Sequence, residues 1–349
     1  MFRRLTLTMA AVAGLALASA GQAEDAPSTI RLGDVGFGFG TPFGVGLQAI
    51  ADAKGFIAKE FEGTETTVSW TYFTGTGPAI NEAFANDQID FASYGAVPNI
   101  VGAAGGLDTV ILASTQGTNI FAVARPDAGI ETLSDLKGKR VALQKATIIH
   151  WAALEALKDA GVEESDFTLI DLKNADQLAA ITAGSVDAVF GADFLLPLEQ
   201  KGIAKVIFSS ARDNPAVSGF GGFLVSRDFV EAYPDATQKV VDGYIHAAEW
   251  LADPANRDEA FEIWARAGTP VELIARSNAD TDFAEAYNPR LDGEFERRYH
   301  SALEFALEQK LVRSTPDLES WTDGSFLNDT LARNELDTVW PERTPAVSN

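Results

Sequence analysis

A chain of 349 residues is long enough to bury more than one hydrophobic core. It contains no cysteine and carries a formal net charge of −23, which excludes disulfide stapling, a lipid-modified cysteine and thiol catalysis. The acidity also argues against nucleic acid as a partner. An anionic ligand would have to be drawn in by local donors working against the overall field.

The chain opens with a basic segment, Met1-Phe2-Arg3-Arg4, followed by the alanine-rich apolar run Leu5 to Ala20 and the small residues Gly21-Gln22-Ala23. This order predicts a secretory signal over residues 1–23, cleaved before Glu24. The apolar run is shorter than the roughly 20 residues that a membrane span needs. Cleavage removes two arginines and no acid, taking the charge from −23 to −25. A cysteine-free secreted chain of ordinary hydrophobic content fits a soluble bacterial periplasmic protein.

The first strand is expected from Ser28 to Val35, emptying into Gly36-Phe37-Gly38-Phe39-Gly40-Thr41-Pro42-Phe43. Phe37, Phe39 or Phe43 would either cover an apolar part of a ligand or fold back into their own lobe. A helix follows from Val45 to Lys54, closed by Gly55. The stretch Thr66 to Gly106 then presents one design twice. In the first copy the alternating strand through Val68, Trp70 and Tyr72 runs into Thr74-Gly75-Thr76-Gly77-Pro78 and a helix from Ala79, with Pro78 suited to the first helical position. In the second, Ile89 to Ser93 runs into Tyr94-Gly95-Ala96-Val97-Pro98-Asn99 and the small-residue run Ile100 to Ala104. Taken singly each loop is ordinary turn chemistry. Side by side they would make a cradle of backbone N–H groups and helix dipoles for an anion.

Val110 to Ser114, Gln116-Gly117-Thr118-Asn119 and Ile120 to Ala124 read as a crossing between two lobes, with the return at Phe220 to Val225. Between them the strands Arg140–Leu143, Phe167–Leu172, Val186–Phe190 and Ala204–Ser209 alternate with helices. That is the signature of a mostly parallel sheet covered on both faces. Gln144-Lys145-Ala146-Thr147-Ile148-Ile149-His150 brings polar groups to a helix start. Asp193 precedes another helix, either as its cap or as the partner of a ligand ammonium. From Asp228 onward the chain is helical and is expected to pack around the first lobe.

Catalytic chemistry is hard to assemble from this sequence. His150, His246 and His300 are far apart, with no metal-ligand spacing and no serine obviously paired to a base, and there is no phosphate-loop lysine motif. No cofactor and no metal are expected.

Four stretches carry a family resemblance: Trp70 to Phe84 (WTYFTGTGPAINEAF), Ile89 to Gly106 (IDFASYGAVPNIVGAAGG), Leu133 to His150 (LSDLKGKRVALQKATIIH), and the tail from Leu311 to Leu336 with Trp321. In this order the chain resembles the periplasmic substrate-binding proteins of ABC importers, in the branch that takes up sulfonates, taurine, nitrate and the thiamine pyrimidine precursor. The resemblance implies a two-lobed type II periplasmic binding protein fold of the α/β class, with mostly parallel sheets flanked by helices and a ligand cleft between the lobes. Residues 24–118 and 225–349 would form lobe 1 and residues 119–224 lobe 2. Carried over by position, an anion would meet Gly75, Thr76 and Gly77, then Ser93, Tyr94 and Gly95. Thr118 and Asn119 would lie at the crossover, and Lys145, Thr147 and His150 would come from the second lobe.

The implied role is a monomeric receptor that delivers a small anionic or zwitterionic solute, an alkyl sulfonate such as taurine, to an inner-membrane permease. Nitrate, another oxyanion or a pyrimidine are the alternative ligands, and an enzyme on the same fold is the rival class. Sulfinate-cleaving relatives use a cysteine, which this chain lacks. The sequence departs from the family at Ala146-Thr147, where Gly-Ser is frequent, and at Asp187-Ala188-Val189-Phe190, where a tryptophan is frequent. Both departures are expected on the cleft side.

Overall fold

The computed structural model describes residues 26–37 and 42–344. The expected signal at residues 1–23 and the side chain of Phe39 lie outside them. Ten strands run in the order β1 (Thr29–Val35), β2 (Thr67–Phe73), β3 (Phe91–Gly95), β4 (Thr109–Thr118), β5 (Phe121–Ala124), β6 (Arg140–Leu143), β7 (Thr168–Asp171), β8 (Ala188–Gly191), β9 (Lys205–Ser209) and β10 (Gly219–Ser226). They form two five-stranded sheets, ordered β2-β1-β3-β10-β4 and β7-β6-β8-β5-β9. In each sheet one strand runs against the other four: β10 in the first and β5 in the second. Each odd strand lies next to the point where the chain arrives from the opposite sheet. Gly219 to Leu224, grouped with residues 119–224 on sequence grounds, are hydrogen-bonded into the first sheet.

The helices that matter for the site are α1 (Leu47–Lys54), α2 (Thr76–Ala85), α3 (Ala96–Ala104), α4 (Ile148–Asp159), α5 (Asn174–Thr182), α6 (Pro234–Ala252) and α7 (Gly293–Glu308). Gly55 closes α1 in the left-handed conformation, φ 67°, as expected. The helical tail does pack on the first sheet. Val240, Val241, Tyr244 and Ala247 of α6 bury against Ile30, Leu32 and Ile50, and Tyr244 stacks on Phe223 of β10 at 4.3 Å. The second lobe joins the same body through α4. Trp151 lies edge-on to Phe220 at 5.0 Å and donates its indole N–H to Ser301 Oγ on α7 at 3.1 Å.

β10 threads between β3 and β4 because it has little side chain at the tightest point. A Cβ on Gly221 would fall 1.9 Å from the Tyr94 carbonyl oxygen. The sheet edges away from the site carry matching fastenings. Arg31 at the start of β1 holds Asp90, just before β3, through its backbone N–H and its guanidinium. Arg140 at the start of β6 holds Asp187, just before β8, through the same atoms.

Three sequence expectations change. The first glycine loop is shorter than expected. The chain turns at Thr76, in the left-handed region at φ 60°, so α2 starts there and Pro78 is its third residue rather than its first. In the second copy there is no loop: β3 continues to Gly95 and α3 starts at Ala96. Asn99 is therefore a buried helical residue, whose Oδ1 accepts from the Gly222 N–H at 3.2 Å and the Tyr299 hydroxyl at 2.8 Å. Finally, β4 carries on through Gln116-Gly117-Thr118, with the left-handed Gly117 (φ 92°) letting the strand bend instead of break.

Candidate functional site

The carboxyl ends of β1, β3, β6 and β8 open onto one cavity of about 160 Å³ between the sheets. The first lobe contributes Asp34, Gln48, Thr76, Gly77, Ser93, Tyr94 and Gly95, and the crossing strand contributes Thr115 to Asn119. Gln144, Thr147, Ile148, Asn174 and Asp193 face them from the second lobe. Trp264, Ser277, Asn278 and Tyr287 of the helical tail, with Phe37 and Phe220, complete an aromatic and largely apolar wall.

Helix starts dominate the polar part of this wall. Residues of the first turns of α1, α2, α3 and α4 all line the cavity. Glycine precedes three of these helices (Gly46, Gly75 and Gly95), and no side chain caps them. Their first N–H groups have no intrahelical partner, and each helix dipole is positive at that end. Only α4 is capped, by Thr147 Oγ1, which accepts from the His150 N–H at 3.4 Å. Two starts are pressed together: a Cβ on Gly77 would fall 2.3 Å from Pro98 Cγ, so the absence of a side chain sets how closely α2 and α3 approach.

The lobes meet across the cavity. Gln144 Nε2 donates to Thr76 Oγ1 at 3.0 Å, and a Cβ on Gly95 would lie 2.8 Å from Ile148 Cβ. At one edge Phe37 stacks on Phe194, centroids 6.0 Å apart and planes 22° from parallel. Thr76 holds its side chain in place at a backbone conformation that a β-branched residue rarely adopts, the kind of strain that collects at working sites. Behind the first lobe's wall, Gln48 donates its amide to Ser93 Oγ and lies 3.4 Å from both Thr115 Oγ1 and the Tyr244 hydroxyl.

No lysine or arginine is among the described residues lining the cavity, whereas two carboxyl groups are. Asp34 is 6% exposed, and burial raises its pKa well above the carboxylate range. The loss of water around half-buried Asp193 pushes it up to about 6. A buried cation, Arg298, sits behind the wall. It lies 4.3 Å over the Phe220 ring, donates to Gln116 Oε1 at 3.3 Å, and is pushed down to about 10 by burial.

Of the residues expected at the site, Phe37, Thr76, Gly77, Ser93, Tyr94, Gly95, Thr118, Asn119, Thr147 and Asp193 line the cavity. Gly75, Lys145 and His150 do not. Gly75 is one residue outside, its open side facing Ala79. Lys145 is separated from Thr147 by the left-handed Ala146 (φ 56°); its ammonium lies 3.8 Å from Glu164 and its backbone N–H is held by Asp171. His150 points into the interior, edge-on to Phe305 at 5.0 Å. Asp193 opens a 3-10 turn as its first residue rather than capping a helix, the cap position being Ala192. Phe43 folds back onto Tyr72 of its own lobe at 5.0 Å. Asp187 is committed to Arg140 and Phe190 is fully buried, so that departure from the family is not on the cleft side.

Sequence reasoning missed Asp34, Gln48, Gln144, Asn174 and the tail residues Trp264, Ser277, Asn278 and Tyr287. Gln48 had a visible signal, as a lone amide inside the apolar run Leu47 to Ala51.

A model of the NMT1/THI5-like family matches residues 70–257. An Escherichia coli (strain K12) protein described as an aliphatic sulfonates-binding protein is 29% identical over 274 residues, which cover 76% of this chain and 80% of that one. The taurine-binding periplasmic protein of the same organism is 26% identical over 236 residues, 65% of this chain and 68% of the relative. Among solved structures, one described as a periplasmic sulfonate-binding protein of an ABC transporter from Methylobacillus flagellatus KT superimposes with a TM-score of 0.80. It is 24% identical, covering 93% of this chain and all of that one.

Proposed function

Since this chain belongs to the NMT1/THI5-like family, we propose that it is a periplasmic receptor of an ABC importer, binding a small sulfonate such as taurine in the cleft between its sheets. It is exported through residues 1–23, acts as a monomer and hands its ligand to an inner-membrane permease. The observation that carries this reading is the convergence of four helix starts, three of them without a side-chain cap, on a small cavity whose described lining holds no basic side chain. Backbone N–H groups and hydroxyls from several directions suit a tetrahedral oxyanion whose charge is spread over equivalent oxygens. Phe37, Phe220, Trp264 and Tyr287 suit the carbon chain beyond it. The sulfonate- and taurine-binding names of the relatives support the same ligand class.

The role is capture without chemistry. A sulfur-attacking thiolate is not available to a chain with no cysteine. Isothermal titration against taurine, 1-propanesulfonate, nitrate, acetate and an aminopyrimidine tests the assignment. Saturable binding of at least one sulfonate, with none of acetate, is expected. Binding of only nitrate or the pyrimidine would replace the ligand class, and sulfite release on incubation with a sulfonate would replace the receptor by an enzyme.

A further inference from the structure

The cavity's unsatisfied side-chain atoms are of one kind. Asp34 Oδ2, Gln144 Oε1 and Asn174 Oδ1 are all buried without a hydrogen-bond partner, and all three residues line the cavity. The donors at the cavity wall, by contrast, are backbone N–H groups of the helix starts, which have no intrahelical partner. A ligand that only accepts hydrogen bonds would satisfy the second set and leave the first buried without partners. Among the three, Asp34 alone can bear a charge. Its Oδ1 accepts the Val35 N–H at 2.7 Å, and the backbone of the following loop covers Oδ2 so closely that a Cβ on Gly44 would fall 2.6 Å from it.

We propose that Asp34 is the subsite for a primary ammonium group on the ligand, so that the cleft selects aminosulfonates over sulfonates lacking an amine. This rests on reading the cleft as a sulfonate site. The anionic end lies against the helix starts and the ammonium against Asp34, which supplies the acceptor that the donor-rich part of the wall lacks.

The surroundings of Asp34 add a second consequence. The titratable groups nearest it are Asp52 on α1, Tyr72 on β2 and Tyr244 on α6, with Arg266 near Asp52 and Tyr72 and with Asp193 across the same cavity. Asp52 accepts the Tyr72 hydroxyl at 2.7 Å and repels charge on Asp34. Burial and Asp52 therefore favour the neutral acid at Asp34 in the empty cleft, and a cation beside it favours the carboxylate, the form in which Oδ2 is an acceptor. Where the group is protonated beforehand, binding breaks its O–H bond, the carboxylate keeps the electron pair opposite the ligand ammonium, and the proton leaves for the buffer.

The test titrates the full chain and its Asp34→Asn and Asp193→Asn variants with taurine and with 1-propanesulfonate, which carries a methyl in place of the ammonium. Each titration is repeated in buffers of different ionisation enthalpy. The wild-type protein is expected to prefer taurine by roughly tenfold or more, as a hydrogen bond to a charged group implies, and to release protons to the buffer on binding it. In Asp34→Asn, which retains an acceptor for the Val35 N–H, the preference is expected to fall to within about twofold, with no proton released. Equal wild-type affinity for both sulfonates overturns the ammonium subsite while leaving the sulfonate reading intact. Preference or proton release that survives in Asp34→Asn and disappears in Asp193→Asn moves the subsite and overturns the assignment to Asp34. Binding of neither sulfonate by wild-type protein defeats the functional reading itself.

Discussion

His150 enters the fold uncharged. Both ring nitrogens lack partners and the ring stands edge-on to Phe305, so burial lowers its pKa to about 4, below the ordinary 6.5. A histidine shifted down favours the native state fully above pH 6.5 and loses that contribution as pH falls through about 4. Asp193, pushed up to about 6, has the opposite sign: its contribution is complete below its ordinary value of 3.8 and is lost as pH rises through about 6. The two slopes oppose one another in the same acidic window, and a substitution separates them. His150→Leu is expected to retain stability at pH 7 and to remove up to about 3 kcal/mol of the loss between pH 6.5 and 4. Thermal melts across that range check this. An unchanged pH profile would mean that His150 charges freely inside the fold.

At the level of elements, the two helix starts at Thr76 and Ala96 work as one unit because Gly77 lets Pro98 approach. Gly77→Ala is expected to destabilise the protein by about 1–3 kcal/mol in denaturant titration, as overpacking does, and to weaken ligand binding by spreading the two helices. Full affinity in the variant would show that their spacing is immaterial. The alternation of strand and helix around this unit was legible, since apolar periodicity reports directly on which face is buried. The junctions were not. The turn into α2 is made by a threonine at φ 60°, which propensity gives no reason to expect. Lys145 lies outside the cavity lining, beyond the left-handed Ala146, a turn that no pattern of residue types announces. Asp34 was legible and overlooked: alternation puts it on the same face of β1 as the buried Ile30 and Leu32, so an acid on the inward side at the carboxyl end of the strand was itself the signal. The wall residues beyond position 260 escaped notice because their contribution comes from a tail wrapping back over the cleft, a long-range fact with no local signature.

Across the whole molecule, the lobes touch where a ligand would be enclosed, through Thr76 with Gln144, Gly95 with Ile148 and Phe37 with Phe194. Phe194 is in the ring stack but not in the cavity lining, so it tests closure separately from ligand contact. An aromatic pair contributes about 0.5–1.5 kcal/mol beyond its area. Phe194→Ala is therefore expected to weaken apparent sulfonate affinity roughly threefold to tenfold, with little change in the melting temperature of ligand-free protein. Calorimetric titration and a melt on the same sample check both halves of this expectation, and undiminished affinity would mean that the stack plays no part in holding the lobes together.

The arginine–aspartate clasps, Arg31 with Asp90 and Arg140 with Asp187, sit at the rims remote from the guest. Each ties a sheet's central strand to its neighbour without help from the other half, so strand registration is complete before any solute arrives. Capture is then a docking of two finished pieces rather than the last step of folding, and an empty receptor can gape without fraying.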